Sequence, residues 1–281
     1  MQYSYYIPTK ILFGRGQLNN LHKEKLPGNK ALIVISNGKS VKKYGYLAKL
    51  EEQLDKSKVS YILFDKILPN PTKEHVMEAA KISRDNKCNF IIGLGGGSAL
   101  DSAKAIAMMS TNDGDLWDYF NGGTAKGKKM KKNPLPMVAI TTTAGTGTEA
   151  DPWLVITNTE TNEKIGFGCE KTFPVLSVVD SELMMTVPEK LTAYQGFDAL
   201  FHSVEGYLNI NASPISDTFA LRSIELITKY LDTAVNEGNN IIARENIALA
   251  NTLAGIVESL SSCISQHALE HALSGFHPEL P

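Results

Sequence analysis

The chain has 281 residues, of which 43% are hydrophobic, 21% charged and 8% aromatic, with 22 glycines and 12 prolines, a profile that excludes a disordered, collagen-like or disulfide-framework protein and fits roughly two ordinary folded domains. Twenty-eight Lys and Arg oppose 30 Asp and Glu, a net charge of -2, so no global field favours nucleic acid or an anionic membrane as partner. Cys88, Cys169 and Cys263 are far apart and form no CxxC clip, which reads as buried free thiols in a reducing cytosol.

The N-terminus, Met1 to Pro8, has no basic segment leading into an apolar one, and no stretch of about 18 uncharged apolar residues occurs. Neither export nor membrane insertion is expected, and the expected location is cytoplasmic. Short apolar runs follow at Ala31 to Ile35, Ser60 to Phe64, Phe90 to Leu94, Met137 to Ile140 and Leu176 to Val179, as buried parallel strands require. Between them Val41 to Leu54 and Thr72 to Asn86 carry apolar positions at helical spacing. Strands alternating with helices predict a parallel sheet covered on both faces. The lysines at 126, 128, 129, 131 and 132 have no interleaved aromatic or Arg and read as a solvated loop. Trp153 to Thr157 and Lys164 to Gly168, around a polar turn, predict an antiparallel hairpin. From Pro188 the strand signal stops, and helices are expected over Leu191 to Leu208, Ile215 to Val235, Ile241 to Ser262 and Ser265 to Ser274. The predicted division is an α/β nucleotide-binding domain over residues 1–184 and a helical domain over 185–281.

Three groups of residues carry chemistry. Gly95-Gly96-Gly97-Ser98 joins the strand Phe90 to Leu94 to a helix with Asp101 and Lys104 in its first turns, a junction that presents free backbone N–H groups to a diphosphate. Neither GxGxxG nor a P-loop is present, and the bland alternative is a tight turn. Thr141 to Glu149 places five threonines and two glycines after the strand Met137 to Ile140, where ligands of open α/β sheets bind. Four of the six histidines, His202, His267, His271 and His277, fall in the last 80 residues. Asp198 with His202, and His267 with His271, have i, i+4 spacing, so each pair shares a helix face. Together they suit Fe²⁺ or Zn²⁺, both of which take mixed nitrogen and oxygen donors; a plain i, i+4 hydrogen bond is the alternative for the first pair. His22 and His75 read as solvated. No GxSxG elbow and no Cys beside a sequence-local His supports covalent acyl transfer.

The combination resembles the iron-containing (group III) alcohol dehydrogenase family. It rests on Ile11-Leu12-Phe13-Gly14-Arg15-Gly16, Pro69-Asn70-Pro71-Thr72, Gly95-Gly96-Gly97-Ser98 with Asp101 and Lys104, Thr142-Thr143-Ala144-Gly145-Thr146-Gly147-Thr148-Glu149, and Gly196-Phe197-Asp198-Ala199-Leu200-Phe201-His202 with Glu205. The resemblance implies a dehydroquinate synthase-like architecture, with an α/β nucleotide-binding domain and an all-α domain meeting at a metal and a nicotinamide ring. It implies interconversion of a small alcohol and its aldehyde or ketone by NAD or NADP, in a homodimer. By the same resemblance Gly96, Gly97 and Ser98 contact the pyrophosphate of the cofactor, Thr142, Thr143 and Thr146 the rest of it and Lys164 the ribose, with Asp101 also among the cofactor-binding residues. Asp198, His202 and His267 match metal ligands, for Fe²⁺ or Zn²⁺, and His271 matches the histidine that handles a proton. The family's fourth ligand lies in a Pro-His-Gly segment that would begin at Pro281, and His277 is not at the motif position. The second domain is therefore expected to be incomplete, and a nucleotide-binding fragment without catalysis is the alternative reading. A carbon–oxygen lyase on the same architecture is disfavoured by the Thr-rich loop. Ser36-Asn37-Gly38-Lys39-Ser40 offers no acidic residue to repel a 2′-phosphate, which mildly favours NADP.

Overall fold

The structure is a computed structural model and describes residues 2–277; the end of the chain from Pro278 to Pro281, where the Pro-His-Gly segment was sought, lies outside the described residues. Among the described residues eight strands occur in chain order, β1 (Lys10–Phe13), β2 (Lys30–Ser36), β3 (Ser60–Ile67), β4 (Phe90–Gly95), β5 (Met137–Thr141), β6 (Leu154–Asn158), β7 (Glu163–Phe167) and β8 (Leu176–Val179). Six of them form one parallel sheet in the order β1-β8-β5-β4-β2-β3, while β6 and β7 make the expected hairpin. The central strands are continuous apolar runs because both faces are covered. On β2, Ala31, Ile33 and Ile35 turn to one core and Leu32 and Val34 to the other, as the two-residue period of a strand dictates.

The stretch expected as one helix from Val41 to Leu54 is two, α1 (Ser40–Lys43) and α2 (Tyr46–Lys56). Gly45, at φ 75°, interrupts the helix between them. On the opposite face lie α3 (Lys73–Asp85) and α4 (Gly97–Met109). Strand β1 is an addition to the predicted set. Its four residues are too short and too exposed to announce a strand, and it forms because the β8 edge pairs it from Lys10 with Leu176 to Phe13 with Val179. The segment from Gln2 to Tyr6 forms no strand, and Tyr3, Tyr5 and Tyr6 are exposed. The lysine-rich loop is solvated as expected; Lys126 and Lys128 each sit 2.7 Å from the Asp118 carboxylate.

The helical region comprises α5 (Glu189–Leu208), α6 (Pro214–Asn236), α7 (Ile241–Ser261) and α8 (Ser265–Phe276). Ser213 caps α6 through Ser216 N, with Pro214 where a missing N–H is harmless, and Asn240 caps α7 through Ala243 N. Small and branched residues, among them Ala199, Leu226, Ile227, Ala248 and Ala254, interlock α5, α6 and α7. Helix α8 leaves α7 at 99° and buries only Ser274 and Gly275. No single helix among the described residues is long and apolar enough to cross a membrane.

The loop after β5 meets α7 backbone to backbone. A Cβ on Gly255 would lie 2.2 Å from Gly147 O, and one on Gly147 would lie 2.5 Å from Gly255 Cα. Gly147 also sits at φ 63°, so it is glycine for conformation as well as space. Gly255→Ala is therefore expected to cost about 1–3 kcal/mol of unfolding free energy, read from the urea midpoint. Gly166→Ala, whose added carbon would meet only Val155 Cγ2 at 3.9 Å, should stay within about 0.5 kcal/mol.

Candidate active site

Strand order reverses between β2 and β4, which are neighbours although β3 lies between them in sequence. Ligands of open α/β sheets bind at such a switch point, beyond the carboxyl ends of the strands, and the glycine loop begins there. A helix N-terminus points into it, since Gly97 opens α4 and no side chain caps the helix. The threonine loop lies alongside, because β4 and β5 are adjacent and Thr142 N donates to Gly95 O at 2.9 Å. Added carbons on Gly96 and Gly97 would strike Thr143 Cγ2 at 3.0 Å and Thr146 Cγ2 at 2.6 Å. The two loops are thus in contact, with Gly96, Gly97, Ser98, Thr143 and Thr146 half-exposed along their shared edge and Thr142 buried beneath. Ser98 Oγ donates to Pro69 O, tying the loop to the segment after β3.

Two other expected cofactor residues face inward. The Asp101 carboxylate accepts from Thr148 Oγ1 at 2.7 Å and Val155 N at 2.9 Å, so it braces the threonine loop against the hairpin. Lys164 Nζ is 2.9 Å from Glu270 Oε1 and 2.8 Å from Ser274 Oγ, so it fastens β7 to α8. Lys104 is fully buried; its ammonium donates to Thr148 Oγ1, Asp151 O, Asp151 Oδ1 and Trp153 O, all at 2.6–3.0 Å. Glu149 reaches α7, where its Oε1 accepts from Asn251 Nδ2 at 2.9 Å and Thr252 Oγ1 at 2.8 Å, and Asn251 in return accepts from Gly147 N. Burial pushes the Glu149 carboxyl up, and its Oε2 has no hydrogen-bond partner.

Directly behind this loop the structure brings together Asp198, His202, His267 and His271. Asp198 Oδ1 lies 3.4 Å from His267 Nε2 and 3.8 Å from His202 Nδ1. Two donors bonded to one ion at about 2.1 Å and tetrahedral angles stand about 3.4 Å apart, so the donor set fits a divalent cation. The His202 and His267 rings stack with centroids 4.2 Å apart, and His202 Nδ1 lies 3.2 Å from Gly145 O. Three further residues belong here that sequence spacing left out of the site. Glu205 Oε1 is 2.7 Å from His267 Nδ1 and Oε2 accepts from Ile264 N at 2.6 Å, so one buried carboxylate both starts α8 and turns the Nε2 of His267 towards Asp198. Glu258 Oε2 is 3.6 Å from His202 Nε2. Cys263 lies with His202 and His267 in one cluster, and it is half-buried, as is Cys169, whereas only Cys88 fits the reading as a fully buried thiol. His22 and His75 are partly buried and partnered, by Gln53 and Thr72, and take no part.

The electrostatics are those of an acidic pocket without enough positive charge. Burial pushes Glu258 up to about 8, and the Asp198 charge adds to the shift. Burial alone would lower His267, but the hydrogen bonds of Asp198 and Glu205 and the charges of Asp198 and Glu258 outweigh it and hold the ring at about 9. Burial and the Lys164 ammonium push His271 down to about 4, so it is a neutral base near pH 7. Burial and the surrounding carboxylates of Glu258, Glu205, Asp198 and Asp151 raise the Cys263 thiol well beyond the ordinary range.

The sequence profile of the family described as iron-containing alcohol dehydrogenase matches residues 8–181, and that of its C-terminal region matches residues 192–278. Alcohol dehydrogenase 4 of Schizosaccharomyces pombe is 38% identical over 275 residues, which is 98% of this chain and 64% of that protein. NAD-dependent methanol dehydrogenase of Bacillus methanolicus is 32% identical, over 98% of this chain and 71% of its own length. The crystal structure of an archaeal halo-thermophilic alcohol dehydrogenase from a Red Sea brine pool matches with TM-score 0.95 and 37% identity, covering 100% of this chain and 71% of that one. The chain thus spans about two thirds to seven tenths of the length of these relatives.

Two outcomes follow from the pocket. Glu205→Ala should weaken divalent-cation affinity about 10–100-fold, measured by competition with a chromophoric chelator. In cation-free protein His267 and Glu258 hold protons in the folded state, at about 9 and about 8, that the unfolded chain releases at about 6.5 and 4.3. Their joint contribution to stability is therefore intact at low pH and lost as pH rises through 8 and 9. Denaturant midpoints of cation-free protein should fall between about pH 6.5 and 9, and saturating Zn²⁺ should remove that decline because the cation takes the place of the proton.

Proposed function

The chain belongs to the iron-containing alcohol dehydrogenase family, and from that premise we propose that it interconverts a small alcohol and its aldehyde or ketone with a nicotinamide dinucleotide and a divalent cation. The observation that carries this reading is the contact between the two loops and the carboxylate–imidazole cluster, because Gly145 of the threonine loop is itself a partner of His202.

In this reading Gly96, Gly97 and Ser98 hold the diphosphate at the start of α4, and Thr142, Thr143 and Thr146 line the rest of the cofactor. Asp101 supports them from behind through Thr148. Lys164 reaches a ribose by exchanging its present partners Glu270 and Ser274. Asp198, His202 and His267 hold the cation, with Glu205 fixing the ring of His267. When bound, the cation supplies Lewis acidity to the substrate oxygen and the nicotinamide accepts or returns a hydride. His271, neutral and one helical turn beyond His267, takes up the alcohol proton and passes it outward. Iron and NAD are the groups named in the family and its relatives. The absence of an acidic side chain in Ser36 to Ser40 supports NADP as an accepted cofactor, and mixed nitrogen and oxygen donors support Zn²⁺ as an accepted ion. Free thiols are in keeping with a cytoplasmic setting, and a homodimer is the state the family resemblance implies.

Protein supplied with Fe²⁺ or Zn²⁺ is expected to reduce NAD⁺ or NADP⁺ when given short primary alcohols or diols. No turnover across a broad panel, with cofactor binding retained in calorimetry, would overturn the catalytic reading in favour of a binding-only one. His271→Ala should lower kcat about 10²–10⁴-fold while the bound cation content, measured by elemental analysis, stays as in the unaltered chain.

A further inference from the structure

We infer that Cys263 donates its sulfur to the divalent cation in this chain, beside Asp198, His202 and His267. The inference rests on the cation site proposed above and adds to it a residue of a different chemical kind. One ligand atom each from His202, Cys263 and His267 lies within 4.8 Å of the other two. Around a tetrahedral ion with bonds of about 2.0 Å to nitrogen and 2.3 Å to sulfur, N and S stand about 3.5 Å apart. Closing these three atoms on one ion takes movements of up to about 1.3 Å, within the reach of side-chain rotation, and Asp198 joins them through the histidines, at 3.4 Å from His267 Nε2 and 3.8 Å from His202 Nδ1.

The backbone holds the thiol at this place. Helices α7 and α8 meet at 99°, and the turn is made at Ser262, whose φ of 67° and ψ of 167° belong to a region otherwise almost confined to glycine. Both neighbours of Cys263 are pinned, because Ser262 O accepts from Asn209 Nδ2 at 3.2 Å and Ile264 N donates to Glu205 Oε2 at 2.6 Å. The same Glu205 carboxylate fixes the ring of His267, so the sulfur and the imidazole are positioned by one group. Cys88 and Cys169 have no such surroundings; Cys88 packs in the core of the sheet and Cys169 caps the turn Glu170–Thr172.

Ligation exchanges the S–H proton, which passes to solvent, for a sulfur–metal bond, and no electron is transferred. A thiolate is a softer donor than carboxylate or imidazole, so its presence tilts the site towards Zn²⁺ and away from Mg²⁺ or Mn²⁺.

The test uses Co²⁺ as the probe on the full 281-residue chain. Cobalt bound by sulfur shows an intense near-ultraviolet thiolate-to-cobalt charge-transfer band, which oxygen and nitrogen donors do not produce. The expected result is one bound Co²⁺ by equilibrium dialysis together with this band. In Cys263→Ser the band should be lost while Co²⁺ is still bound. Bound Co²⁺ without the band in the unaltered chain would overturn the sulfur ligand and leave the cation site standing. A band that persists in Cys263→Ser would overturn it equally. No bound Co²⁺ at all would overturn the cation site itself and the inference with it. Because the unaltered chain alone yields a decisive spectrum, the outcome does not depend on the variant folding.

Discussion

Everything placed around the candidate site depends on two backbones touching. Gly147 and Gly255 approach so closely that neither position has room for a side chain, and that contact seats the loop after β5 on α7. Flanking hydrogen bonds between Glu149, Asn251 and Gly147 keep it from sliding. From this seat the loop extends two ways. Thr142, Thr143 and Thr146 lie along the glycine loop, and Gly145 reaches His202 on α5. The sheet and the helices also meet through apolar packing of Val179 and Met184 against α5, α6 and α7 and through the Arg15–Glu245 ion pair; at the two loops they share one polar surface.

The second constraint is charge. Asp101, Glu149, Asp151, Asp198, Glu205 and Glu258 gather within and behind the loops, whereas Lys104 is the fully buried ammonium among them. Lys104 satisfies Asp151 and three neutral acceptors, whereas the hydrogen-bonded cationic partner of Asp198 is the imidazole of His267. Protons fill the deficit, on His267 and on Glu258. A pocket that must hold protons to remain neutral is one in which a divalent cation has protons to displace and anions to meet.

Much of this was legible in the sequence for physical reasons. Doubly covered parallel strands must be apolar throughout, so β2, β4, β5 and β8 could be read directly, and i, i+4 spacing put Asp198 with His202 and His267 with His271 on common helix faces. Strand β1 escaped because a four-residue edge strand is defined by its partner rather than by its own pattern. The break at Gly45 escaped because apolar spacing continues across it while its backbone turns left-handed. Asp101 and Lys164 were read as cofactor contacts from the family resemblance, and their present partners, Thr148, Val155, Glu270 and Ser274, are distant in sequence and so were not legible. Cys263 was passed over for a similar reason. It lies four residues before His267, but α8 begins at Ser265, so no helical period relates the two and only the turn at Ser262 brings them together.

Helix α8 has almost no apolar footing, and its anchors are polar at each end: the Glu205 carboxylate at Ile264 and His267, and Lys164 at Glu270 and Ser274. The two histidines it carries therefore share one fate. Weakening either anchor loosens a short helix of marginal stability on its own, so His267 and His271 are displaced together rather than one after the other. One of the three cation-site side chains and the proton-handling histidine are in this way mounted on the same short helix, whereas Asp198 and His202 stay on α5.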